Sequence, residues 1–362
     1  MKRVGFLYEK ICDIDNIYKA IDKVTEGRRN LKPCQRLLKR KEHYAYYLQR
    51  RLLEGNYILG KSGHFMLTQK NGKIREISVP RLFPDQVVHW AVCLVLKDLF
   101  MKGMYSHNVG SIEGRGGIAG KKYIDKIYAK DKTIKYCMKL DIKKFYPSIK
   151  HDKLKELFRK KIKDEQTLKL IDAIIDSDGD EGLPIGFYSS QWFANFYLQE
   201  IDHFIKEQLH IKYYVRYIDD MVMFDTNKRK LHKAKCALDK FLLDNNYGIT
   251  IKENWQIWKI HSRPLDFLGY KFYKNKTLLR KTLFLSIMRS VNKIKKKGYC
   301  TIKRARSLSS LLGWLNHIPA GRDCYVNLIK PIISKKKLAT IVSVVDKKIN
   351  IKKMRYEYGS TI

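Results

Sequence analysis

The stretch Tyr213-Tyr214-Val215-Arg216-Tyr217-Ile218-Asp219-Asp220-Met221-Val222-Met223-Phe224 sets two adjacent acids between two apolar runs. Its aromatic and β-branched residues predict strands over 212–217 and 221–225, meeting at the acid pair. A lone Asp-Asp is ordinarily a solvated turn. Between buried strands its like charges repel unless a cation lies beside them. Upstream, Ile134-Lys135-Tyr136-Cys137-Met138-Lys139-Leu140-Asp141-Ile142 reads as a second strand, ending on Asp141 where a sheet meets solvent. Two carboxylates at a tight turn and a third from another strand form an oxygen cage suited to Mg²⁺. Two such ions about 3.5–4 Å apart serve in-line displacement at a phosphoryl group.

Outward from these strands the pattern is mixed. Helices are predicted near 151–176, 190–208 and 229–245, and Leu265–Phe272 is strand-like. Such an order implies an α+β fold in which non-consecutive strands share one sheet. Residues 1 to about 60 carry Leu, Tyr, Lys and Arg at helical spacing, with no Gly between Gly27 and Gly55. Two extended runs from Phe65 to Pro80 flank Asn71-Gly72, whose residues tolerate positive φ, and predict a hairpin. Residues 85–100 resume a helical pattern, and the last ninety residues return to helix with Lys clusters.

Two stretches imitate ligand loops. Gly110 to Lys122 reads as a flexible basic loop. Arg115 and Lys122 stand where a phosphate-cradling GxxxxGK[ST] loop needs Gly and Ser or Thr, and the Gly114, Gly116, Ala119 match to GxGxxA lacks a preceding strand. In Asp176-Ser177-Asp178-Gly179-Asp180-Glu181-Gly182 the Gly sits one place late for a calcium loop and the twelfth position is Phe187, so an exposed turn is expected.

Charge is the most informative bulk property. Across 362 residues, 74 Lys plus Arg against 36 Asp plus Glu leave a net +38. An excess of that size strains a compact chain by self-repulsion, which a bound phosphate backbone relieves. Twenty-three Tyr and fifteen Phe add surfaces on which bases can stack. The seven cysteines are scattered without zinc-site or disulfide spacing and read as reduced, mostly buried thiols. No stretch reaches the roughly 18 apolar residues of a membrane span, and the N-terminus lacks a secretion signal. A cytoplasmic protein, without a membrane partner, is expected.

Four ordered motifs carry a family resemblance. Tyr217-Ile218-Asp219-Asp220 resembles the YxDD signature of reverse transcriptases, and Leu140-Asp141-Ile142 followed by Phe145-Tyr146 resembles their first acidic motif. Phe267-Leu268-Gly269-Tyr270 looks like the primer-grip hairpin, and Lys73 and Arg75 match the basic hairpin that meets the incoming triphosphate. The resemblance runs from about residue 60 to 275. It implies a right-hand polymerase fold: N-terminal helices and fingers (1–133), a palm of antiparallel sheet and helices (134–275, with a helical insertion around 151–190), a helical thumb (276–350) and a basic tail (351–362). It implies RNA-directed DNA synthesis with Asp141, Asp219 and Asp220 as catalytic residues. These three and Ile142 would hold two Mg²⁺ ions, with Mn²⁺ as a substitute. Deoxynucleoside triphosphates would meet Lys73, Arg75, Phe145, Tyr146, Ile185, Gly186, Gln191 and Lys252. Template and primer would meet Arg115, Tyr217, Lys293, Lys295 and Lys296.

Physical readings accompany these assignments. Tyr146 would block a ribose 2′-hydroxyl; alternatively it is a core aromatic. Lys73 and Arg75, on alternate positions, face one side of a strand as a triphosphate clamp needs; alternatively they form a solvated basic edge. The partners implied are a template RNA and an RNA/DNA primer-template duplex.

Ile185-Gly186-x-x-x-Ser190-Gln191 and Ser310-Leu311-Leu312-Gly313-Trp314-Leu315-Asn316-His317 resemble reverse transcriptases of diversity-generating retroelements, carried by bacteria or phages. That resemblance implies misincorporation opposite adenines and an accessory variability protein. Ile185 stands where related enzymes place a Gln amide, so base-pair geometry there would be checked by apolar contact alone; alternatively Ile185 is only packing. Retron, group II-like and antiphage-defence reverse transcriptases are the alternatives, as is a non-catalytic RNA-binding protein with a polymerase fold. Retron enzymes usually carry a late VTG tripeptide, which this sequence lacks. An endonuclease, ribonuclease H or maturase-like domain is not expected.

Overall fold

A computed structural model describes residues 3–69 and 72–343. The N-terminal helices are α1 (Leu7–Cys12), α2 (Ile14–Thr25), α3 (Lys32–Lys39) and α4 (Lys41–Leu53). α2 starts where the Asp13 carboxylate accepts from the Asp15 and Asn16 N–H groups, satisfying donors the helix leaves open. It buries Ile17, Ala20, Ile21 and Val24 along one face. The predicted hairpin pairs β1 (Gly63–Thr68) antiparallel with β2 (Ile74–Val79), Leu67 opposite Arg75. Its connection is longer than a two-residue turn, because Gln69 N–H donates to Lys73 O at 2.8 Å. Gly72 takes φ 81° as anticipated, and Asn71 lies outside the described residues.

Next come α5 (Val87–Lys102) and α6 (Gly117–Lys130). α6 corrects the reading of Gly110–Lys122 as a loop throughout: from Gly117 the chain is helical, burying Gly120, Lys121, Ile124, Ile127 and Tyr128 at helical spacing. The glycines masked that pattern. β3 (Tyr136–Asp141), α7 (His151–Lys161) and α8 (Glu165–Asp176) follow. The predicted 190–208 helix divides into α9 (Tyr188–Tyr197), α10 (Gln199–His203) and one wider turn. β4 (Tyr213–Tyr217), β5 (Asp220–Asp225) and α11 (Lys228–Asp244) match expectation in kind, and β6 (Gln256–Lys259) is a strand the sequence pattern did not single out. The strand-like Leu265–Phe272 is a hairpin, the shape the family resemblance implied: β7 (Leu265–Phe267) folds back at Leu268-Gly269 into β8 (Tyr270–Phe272), with β9 (Thr277–Leu279) beside it. α12 (Lys281–Lys297), α13 (Ile302–Leu315) and α14 (Gly321–Cys324) follow, then a wide turn at Tyr325–Ile329 and helix over 335–343. Positions 344–350 of the expected thumb and the 351–362 tail lie outside it.

The chain forms two compact units, residues 1–116 with 138–257 and residues 117–137 with 258–362. In the first, β5 lies between β4 and β3 in a sheet of order β4-β5-β3-β6. Met221–Phe224 of β5 are all buried, as befits a central strand. Rings from α5, α7 and α9 pack closely: Phe158 lies 4.6 Å from Phe196 and 5.0 Å from Phe193, and Phe100 5.5 Å from Trp192. This packing makes the sheet a rigid base for whatever its strand ends carry. In the second unit the three-stranded sheet β7-β8-β9 buries Leu265, Phe267, Tyr270 and Phe272. Among the described residues no helix is long and apolar enough to cross a membrane. Cys12, Cys34, Cys93 and Cys137 are buried free thiols, while Cys236 is exposed.

Candidate active site

β4 and β5 are antiparallel, with Tyr217 opposite Asp220, so Ile218 and Asp219 form the turn between them. Ile218 takes φ 56°, a region that β-branched residues rarely enter. Its neighbours over-determine it. Gly110 abuts the turn so closely that a Cβ there would lie 2.5 Å from Ile218 N. The fully buried Arg216 donates to Ile218 O at 3.0 Å, to both Asp202 oxygens at 2.8 and 2.6 Å, and to Asn195 Oδ1 at 3.1 Å. Asn195 in turn bonds Asn108 and Gly110 O. Sequence reasoning missed this network. Its one signal was an arginine inside the apolar run of a strand.

Asp141 ends β3, the neighbour of β5. The Lys252 ammonium donates to Asp141 Oδ2 at 2.5 Å, and Asp141 Oδ1 is buried without a hydrogen-bond partner. Lys139 Nζ lies 3.3 Å from Asp220 Oδ1. Burial, reinforced by the Asp141 and Asp220 carboxylates, raises Asp219 to about 6. Burial likewise raises Asp220, with Lys139 opposing. Around Ile142, Lys143 N–H donates to Thr250 O and Lys252 N–H to Asp141 O, which leaves the Ile142 carbonyl turned away from that segment. Partnerless carboxylate oxygen, mutually repelling acids and a free-facing carbonyl are a donor set that fits an oxygen-seeking divalent cation. Among the described residues no three His, Cys, Asp or Glu side chains are gathered as a metal-ligand set. The two lysines draw Asp141 and Asp220 instead.

Other predicted residues of the first unit are placed on the elements around β2, β3 and α9. Tyr146 begins a short turn after β3. Burial raises its phenol to about 12, with the charges of Asp219 and Tyr217 adding to the rise and that of Arg75 opposing it. Phe145 instead points into the core at 3% exposure. The Ile185-Gly186 turn sits on β2: Ser78 N–H donates to Ile185 O at 2.9 Å, and a Cβ on Gly186 would lie 2.2 Å from Ser78 O. Lys73 is exposed just before β2, Gln191 is exposed on α9, and Tyr217 is 38% exposed. Arg115 donates to Tyr105 O at 3.0 Å. The acidic turn is not wholly solvated, since Asp178 reaches His64 at 3.3 Å.

The remaining predicted residues belong to the second unit. Phe267 and Tyr270 are buried there, while Leu268 and Gly269 turn the hairpin at φ 51° and 80°. A Cβ on Gly269 would lie 2.9 Å from the Trp314 ring. Lys293, Lys295 and Lys296 are exposed on α12.

The family described as reverse transcriptase (RNA-dependent DNA polymerase) matches residues 63–272, more than half of the chain and including every carboxylate above. The chain belongs to the reverse transcriptase family. The retron Ec73 reverse transcriptase of Escherichia coli is 34% identical over 128 residues, 32% of this chain and 39% of that protein. Apo telomerase from Candida tropicalis superposes with a TM-score of 0.51 at 14% identity, covering 79% of this chain and 58% of that one. This chain therefore spans well under two thirds of either relative. The fold of this reverse transcriptase is the α+β right-hand polymerase fold expected from its sequence, with mixed helices and antiparallel sheets.

Proposed function

We propose that this reverse transcriptase copies a template RNA into complementary DNA from deoxynucleoside triphosphates. The observation that carries this reading is the meeting of Asp141, from β3, with Asp219 and Asp220, from the β4–β5 turn, beside Tyr146 and Arg75. Asp141, Asp219, Asp220 and the Ile142 carbonyl would hold Mg²⁺. When bound, Mg²⁺ supplies Lewis-acid activation of the primer 3′-hydroxyl and charge compensation for the departing pyrophosphate. Lys252 and Lys139 pair with Asp141 and Asp220 and hold them oriented until then. Arg75 and Lys73 supply positive charge for the triphosphate. Tyr146 closes the space a 2′-hydroxyl would fill.

Residues 1–133 act as N-terminal helices and fingers, 134–275 as palm and 276–350 as thumb, with Phe267–Tyr270 gripping the primer. Lys293, Lys295, Lys296, Tyr217 and Arg115 serve the template-primer duplex. Substituting Asp141→Ala should abolish extension of a DNA primer on an RNA template while RNA binding persists. Near-parental extension would sink the assignment.

Within the family, the Ile185–Gln191 turn supports an error-prone enzyme of a diversity-generating retroelement, working with an accessory variability protein. The 34% identity to a retron enzyme favours retron-type copying as the second reading. Sequencing products made on a mixed-base template separates them: errors concentrated opposite adenines support the first, evenly spread errors the second.

A further inference from the structure

The segment from Gly27 to Leu53 holds nine Lys and Arg and a single acid, Glu42. Four of the nine have partners: Lys41 with Asp22, Arg50 with Glu54, Arg28 with Val24 O, and Arg51 with Asn56 O. The other five, Arg29, Lys32, Arg36, Lys39 and Arg40, are exposed and have no ion-pair partner among the described residues. α3 buries Cys34 and Leu37 and turns Lys32 and Arg36, one turn apart, outward, with Lys39 nearly a turn further on.

Like charges at this spacing repel and weaken a short helix. Lys39 gains from the negative end of the helix dipole, but Arg29 and Lys32 sit at the positive end, where a cation is unfavourable. Folding alone does not account for the arrangement. On α4, Tyr46 is 58% and Tyr47 41% exposed, near His43 and Arg50 on the outer face. By contrast, Lys155, Arg159 and Lys160 of α7 are each tied to an acid.

We infer that α3 and the outer face of α4 form an RNA-docking surface, separate from the carboxylate site, which holds the phosphate backbone of folded RNA outside the stretch being copied. The choice of RNA over DNA rests on the template reading above. The unpartnered cations supply phosphate contacts at successive turns, and the exposed tyrosines offer ring faces to unpaired bases.

The test is fluorescence anisotropy of a labelled stem-loop RNA at a series of KCl concentrations. K32Q/R36Q/K39Q/R40Q should bind at least about tenfold more weakly near physiological salt, with the slope of log K against log salt shallower by about three, as four lost phosphate contacts require. A control that removes equally exposed cations from α11, K228Q/R229Q/K233Q, should change affinity by less than about threefold. Unchanged affinity and slope in the α3 variant, or an equal loss in the α11 control, would overturn the proposal. The double variants K32Q/R36Q and K39Q/R40Q carry the same prediction at half the slope if the quadruple variant does not fold. Extension of a short pre-annealed primer-template is measured in parallel and should stay at the parental rate. If the parent itself fails to extend, the polymerase reading falls and the anisotropy still decides this one.

Discussion

Two hairpins in this protein turn in nearly the same way and are supported in opposite ways. β4–β5 reverses at Ile218-Asp219 and β7–β8 at Leu268-Gly269, each with a bulky residue in the left-handed region at its first turn position, φ 56° and 51°. Beside the first, the Arg216–Asp202 pair is fully buried; beside the second, the Arg280–Asp266 pair is over 40% exposed on both sides. The second turn has glycine at its other position and a tryptophan ring against it. The first has an aspartate there and a buried hydrogen-bond network beneath. Backbone strain is tolerated where surroundings over-determine it, and it collects at functional sites. The β4–β5 turn is thus held by buried polar contacts, while the β7–β8 turn is a compact glycine bend against a ring.

The widest separation between the hairpins should be in activity. Asp219→Ala should cost about a thousandfold or more in primer extension, the several kcal/mol expected when a metal-binding carboxylate is lost. Leu268→Ala should cost far less. Comparable losses would mean that both turns take part in chemistry.

Stability should separate the two arginines next. Arg216→Met leaves Asp202 buried and unpaired and should cost about 3–5 kcal/mol in chemical denaturation. Arg280→Met breaks a solvent-screened pair and should cost less than about 1 kcal/mol. Equal shifts in the denaturation midpoint would show that the buried network does not hold the first turn.

Acid should act on the unit that carries the β4–β5 turn. Burial lowers His89 from 6.5 to about 4, so the unfolded chain takes up a proton before the folded one does. The stability that neutral His89 contributes is present above about pH 6.5 and is lost as pH falls towards 4, by about 3 kcal/mol in all. His89→Gln should flatten that slope. The described histidines of the second unit, His261 and His317, are not buried. Denaturation followed at several pH values checks this, and an unchanged slope in the variant would remove His89 as its source.

The smallest effect is on sugar choice beside the first turn. Tyr146→Val should raise ribonucleotide insertion relative to deoxyribonucleotide insertion by about 10- to 100-fold, the range available to a steric pocket contact. Shortening the core residue Phe145 should leave the ratio of kcat/KM values unchanged. A parental ratio in the Tyr146 variant would place the gate elsewhere.

Local patterns in the chain already specified much of this. Strand character around Asp141 and Asp219-Asp220, the hairpin before Val79 and the N-terminal helices follow from periodicities of two and 3.6, which neighbouring residues alone determine. Glycines defeated the same logic at 117–122, where the start of a helix with Gly117 and Gly120 read as loop. At 265–272 the apolar run read by periodicity as one strand, and the bend at Leu268-Gly269 was legible only through the resemblance to a primer-grip hairpin.

By itself, the sequence determined the kind of most elements, the large positive charge and the strand character around Asp141 and Asp219-Asp220, because each is written in residues close together along the chain. Only the tertiary structure decided which partners those residues meet. The Lys252 ammonium reaches Asp141 across 111 positions, Asn195 bonds Asn108 across 87, and Ser78 binds the Ile185 carbonyl. Such contacts depend on how strands and helices pack in three dimensions, and a buried arginine such as Arg216 becomes intelligible only when the groups that repay its desolvation are in view.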